Sequence, residues 1–94
     1  MDAPSNVTLP SCTTFVYVAV KASLHAKATA VFGLNKQEEI ALTKHFDNFC
    51  QEIINGVLLK GAPIQIVNAL AELGYKVIST TGESETVWTM QREV

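Results

Sequence analysis

The residues of this 94-residue chain whose types could do chemistry are few and scattered. His25 and His45 stand far apart, with no HxH, HExxH or CxxC arrangement beside either, so no metal-ligand spacing is present. Ser11 and Cys12 adjoin, but no Gly-x-Ser-x-Gly elbow or Cys-Gly signature surrounds them, which removes the usual settings of a nucleophile. Two acid pairs occur. Glu38 with Glu39 falls at the start of a helical pattern, where carboxylates interact well with the helix dipole. Glu83 with Glu85 falls in a turn, where acids are solvated and general acid–base work would need further converging groups. Gly33, Gly56, Gly61, Gly74 and Gly82 stand singly and form neither GxGxxG nor GxxxxGK, so they read as stops and turns rather than a phosphate cradle. The expectation is a protein with no catalytic residues, no metal and no cofactor.

The stretch that gathers polar groups at one place is "STTGESETVW", Ser79 to Trp88. Hydroxyls of Thr80, Thr81, Ser84 and Thr86, with free backbone N–H groups, surround the glycine turn at Gly82, and Trp88 supplies a flat apolar surface nearby. Such a set suits a small amphiphilic ligand or the rim of an interface. The candidate effector- or partner-binding residues are therefore Thr80, Thr81, Gly82, Glu85, Thr86 and Trp88. An ordinary hairpin with Trp88 in the core is the equal alternative on these residues alone.

The elements that must position this hairpin are legible from periodicity. Thr14 to Ala22, "TFVYVAVKA", is β-branched and aromatic with no breaker, and apolar on both of its faces, which predicts a strand that is central or covered on two sides. Lys27 to Gly33 is a weaker strand. Asn35 with Glu38 three residues on has the spacing of a reciprocal cap, and Ile40, Phe46, Phe49, Cys50 and Ile53 carry a helical rhythm from Lys36 to about Gln51, stopped by Asn55-Gly56. Val57 to Lys60 fits a short buried strand. Pro63 suits a first helical turn, Ile66, Val67, Leu70 and Leu73 make one helix face, and Gly74 fits the left-handed C′ position. Tyr75 to Thr81 and Thr86 to Arg92 are strands of a hairpin. The predicted order is β-β-α-β-α-β-β: an α+β fold, mainly an antiparallel sheet with two helices packed on one face.

Composition limits the rest. Ninety-four residues suit one domain, read as residues 12–94, with residues 1–11 as a flexible N-terminal arm. Net charge is −2, and the seven basic residues are spread singly, so there is no stripe for a nucleic-acid backbone. No apolar run is long enough to span a membrane, and "MDAPSNVTLPS" lacks the basic and apolar regions of a secretory signal, so the chain is expected in the cytoplasm with reduced thiols. The apolar fraction of 48% is high for so short a chain, and with the two-sided first strand it predicts self-association.

The last third, read as Pro63, Ile66, Val67, Leu70, Gly74, Tyr75, Lys76, Val77, Ile78, Ser79, Thr81, Gly82, then Thr86, Val87 and Trp88, resembles the GTP cyclohydrolase I feedback regulatory protein family. Thr29 to Gly33, "TAVFG", is similar to that family's "T-x-V-G" segment. The resemblance implies a non-catalytic regulatory domain that forms ring-shaped homopentamers and caps both faces of decameric GTP cyclohydrolase I, the first enzyme of tetrahydrobiopterin synthesis. It also implies effectors: tetrahydrobiopterin promotes an inhibited complex, and phenylalanine a stimulated one by binding between regulator and enzyme. Two differences stand out. Leu34-Asn35-Lys36 replaces an acidic run, and Glu85 stands where the family turn carries glutamine, so a carboxylate would face an amino acid's own carboxylate. The alternative is a small protein–protein interaction adaptor of similar fold without an effector, and a small pterin- or amino-acid-directed enzyme ranks third.

Overall fold

The computed structural model describes residues 14–93, so the expected arm at 1–11, together with Cys12, lies outside the described residues. Six strands and two helices follow in the order β1 (Phe15–Ala22), β2 (Ala28–Phe32), α1 (Lys36–His45), β3 (Cys50–Ile53), β4 (Gly56–Lys60), α2 (Pro63–Glu72), β5 (Lys76–Thr81) and β6 (Thr86–Glu93). The strands make one sheet in the order β3-β4-β2-β1-β6-β5, and every neighbouring pair is antiparallel. The α+β layout expected from periodicity is present. β1 is central, as its composition predicts, paired with β2 on one side and along its whole length with β6 on the other.

One boundary differs from the sequence reading. The helical rhythm was expected to run to about Gln51, but α1 ends at His45 and a further short strand, β3, begins at Cys50. The physical cause is the pair Asp47 and Asn48, both in the left-handed region at φ 60° and 54°. Short polar side chains tolerate that conformation, and two in succession turn the chain out of the helix. Phe46 closes the helix by donating its N–H to Leu42 O and buries its ring, and Asn55, at φ 64°, turns the chain between β3 and β4. Asn-Gly, expected as a helix stop, is thus a hairpin signal.

The core lies on one face of the sheet. Val18 and Val20 of β1, Val31 of β2, Val57 and Leu59 of β4, and Trp88 and Met90 of β6 meet Leu42 and Phe46 at α1 and Ile66, Ala69 and Leu70 of α2. The residues from β1, β4 and β6 alternate along their strands, as the pleat requires. Thr29, wholly buried among them, is satisfied by donating to Gly61 O at 2.8 Å. The opposite face carries no helix: Phe15 and Tyr17 are 40% and 52% exposed, and Phe32 and Leu58 are half-buried. The two-sided apolarity of β1 is therefore met on only one side within a single chain.

At both helix starts the third helical residue's side chain accepts from the N-cap backbone N–H, and at α1 the bonding is reciprocal. Asn35 accepts from Glu38 N at 2.8 Å while the Glu38 carboxylate accepts from Asn35 N at 3.1 Å. At α2 the cap is half of that: Gln65 Oε1 accepts from Ala62 N at 3.0 Å, and Ala62 has no side-chain oxygen to return the bond. α2 closes through Gly74 at φ 99°, with Tyr75 N donating to Leu70 O and Gly74 N to Ala71 O.

That closure delivers Tyr75 to a buried polar cluster. Glu38, 8% exposed, accepts from Tyr75 OH at 2.8 Å and pairs with Arg92 at 2.8 Å. Arg92 also donates to Leu73 O at 3.1 Å, and its guanidinium lies 4.6 Å over the Tyr75 ring. The cluster joins the start of α1, the end of α2, and the bases of β5 and β6. Glu38 is the one buried charged residue among the described residues, and removing a partner leaves it uncompensated. Arg92→Met is expected to cost about 3 kcal/mol in urea denaturation, and Glu38→Leu with Arg92→Met together less than the sum of the two single changes. Tyr75 gives a second test. Burial, and then the hydrogen bond to Glu38, push its hydroxyl up to about 12. Because ionisation is deferred in the folded chain, the associated stability is present below the unfolded phenol's pKa, about 10, and is lost as pH rises through about 12. Tyr75→Phe is expected to flatten the fall in stability across that window.

Candidate functional site

β5 and β6 make the hairpin on which the candidate residues lie, with a register shift between Val77 and Ser79. Period-two alternation divides the set between two faces. Thr80 pairs with Trp88, which pairs in turn with Val20, so these positions are on the helix-covered face. Thr81 pairs with Val87, which pairs with Lys21, so these are on the open face. Trp88, 8% exposed, packs in the core rather than walling a surface site. Thr80, Thr81, Gly82 and Glu85 are exposed, and Thr86, opposite Ala22, is half-buried.

The tip is held by Gly82, at φ 121°, where a methyl group would collide with the Glu85 carbonyl oxygen. No L side chain fits that position without moving the turn. The tip in this form places the Glu85 carboxylate 3.6 Å from Lys21 Nζ. Both side chains are about half exposed, so the pair contributes little to stability. Its position matters more than its strength. Lys21 and Glu85 border a concavity of about 320 Å³ in the open face, lined also by Ser23, Ala28, Ala30, Phe32 and Leu58. Ala28, Ala30, Phe32 and Leu58 make its lining mainly apolar, with Ala30 and Leu58 as neighbours across β2 and β4. An acid, a base and a hydroxyl bordering an apolar floor suit a small zwitterionic amphiphile.

Sequence reading placed Glu85 in the candidate set but not Lys21, Phe32 or Leu58. The available signal was Lys21 itself, the one charge in an otherwise apolar strand. A second concavity of about 490 Å³, which shares Ala26 with the first, is lined by His25, Lys27, Lys60 and Gln65 among others, and there Lys60 pairs with Asp47 at 3.8 Å. His25 and His45 do not meet, and among the described residues no three His, Cys, Asp or Glu side chains gather closely enough to hold a metal. No helix among the described residues is long and apolar enough to cross a membrane.

Gly82→Ala is expected to destabilise the protein by more than about 1 kcal/mol, because alanine at positive φ is strained and clashes. Amide chemical-shift changes should concentrate at residues 20–22 and 80–87, and a shift pattern confined to the mutated turn would separate the Lys21–Glu85 geometry from Gly82.

No curated protein matches the chain at a significant level. The model of the GTP cyclohydrolase I feedback regulatory protein family matches residues 17–93, which takes in β1 from Tyr17 onward, every later element through β6, and both the hairpin and the Lys21–Glu85 pair. The match spans most of the chain, and the chain belongs to the GTP cyclohydrolase I feedback regulatory protein family.

Proposed function

We propose that this chain is a non-catalytic regulatory subunit that binds GTP cyclohydrolase I and alters its activity in response to a small effector. The observation that carries this reading is the family match across residues 17–93. The geometry supports it by offering an effector position. An α-amino acid carries an ammonium and a carboxylate on neighbouring atoms. Glu85 and Lys21, 3.6 Å apart, present the complementary charges, with Phe32 and Leu58 beside them for an apolar side chain. The repulsion expected between Glu85 and an amino acid's carboxylate is thereby offset by Lys21. Phenylalanine fits this description, and tetrahydrobiopterin is the second effector to test. In thermodynamic terms, the regulator has different affinities for two states of the enzyme, and the effector shifts their populations.

The same reading includes self-association, with a homopentamer as the family-based expectation. Phe15 and Tyr17, on the face without helices, leave large apolar side chains in water in the single chain. A second reading, an adaptor without an effector, draws on β5, whose six residues are all exposed at an edge of the sheet.

Light scattering on a sizing column tests the main reading. The expected result is a species near five times the mass of the chain that moves onto GTP cyclohydrolase I, more completely with phenylalanine or tetrahydrobiopterin. A monomer that never co-elutes with the enzyme would remove it. A complex indifferent to both compounds would favour the adaptor. Lys21→Ala and Glu85→Gln address the effector position: Lys21→Ala is expected to raise the phenylalanine concentration needed for a half-maximal effect about tenfold, as for loss of a charged hydrogen bond, with unchanged thermal unfolding of the regulator alone.

A further inference from the structure

We draw no further inference here: the strongest candidate, the cleft of about 390 Å³ between α1 and the edge strand β3 that holds Ile40, Lys44 and Cys50, carries nothing because nothing in the structure shows what covers it.

Discussion

The buried carboxylate of Glu38 is the constraint around which the rest of the molecule is arranged. A charge taken out of water must be compensated, and here one partner is local while the other two come from the far end of the chain. Asn35 N–H lies in the turn before the helix, Tyr75 OH at the base of β5, and the Arg92 guanidinium near the end of β6. Arg92 is held in turn by Leu73 O and by the Tyr75 ring beneath it. The helix cap, the end of α2 and the base of the terminal hairpin are therefore parts of one polar assembly, and none can shift without uncovering a charge. Gly74 belongs to it as well: a side chain there would press on the Arg92 stem, with a Cβ 3.1 Å from Cδ.

The hairpin clamped at its base ends in an exposed tip. Every residue of β5 is exposed, as are residues 82–85 of the turn. The firm base fixes the register of β6 against β1, and that register alone puts Val87 beside Lys21 and brings Glu85 within reach of it. The concavity on the open face exists because strand alternation turns Ala28 and Ala30 to the side that the helices leave bare. Small residues at those positions, with Phe32 and Leu58 around them, make a depression instead of a flat sheet. The two faces of the sheet thus differ: one packs the core beneath the helices, and the other carries the open concavity.

Much of the fold was legible because local patterns and tertiary packing agree. Asn35 and Glu38 formed the reciprocal cap their spacing indicated, Pro63 opened a helix, and Gly74 closed one in the left-handed conformation. Agreement failed between Phe46 and Ile53. Their spacing fits a helix, yet Asp47 and Asn48 adopt left-handed backbone and the later apolar residues enter an edge strand. Periodicity reports that residues are buried at intervals. It does not report that a turn has changed the period between them. At the candidate site Gly82 and Glu85 were legible from turn chemistry, whereas Trp88 beside them in sequence belongs to the other face of the sheet.

What the amino-acid sequence determined by itself was local and additive: strand and helix propensity, caps, glycine turns, the lack of any catalytic spacing, and a terminal pattern that identified the family. What only the tertiary structure decided was which distant residues meet. Glu38 is separated by long stretches of chain from Tyr75 and Arg92, which face each other across the base of the hairpin, as Lys21 is from Glu85, and nothing in the spacing relates those distant groups. Their encounter depends on strand order and register, in which β1 pairs with β6 from the far end of the chain. Those are properties of the whole sheet, fixed by how its apolar face fits beneath two helices, and no short window of sequence contains them.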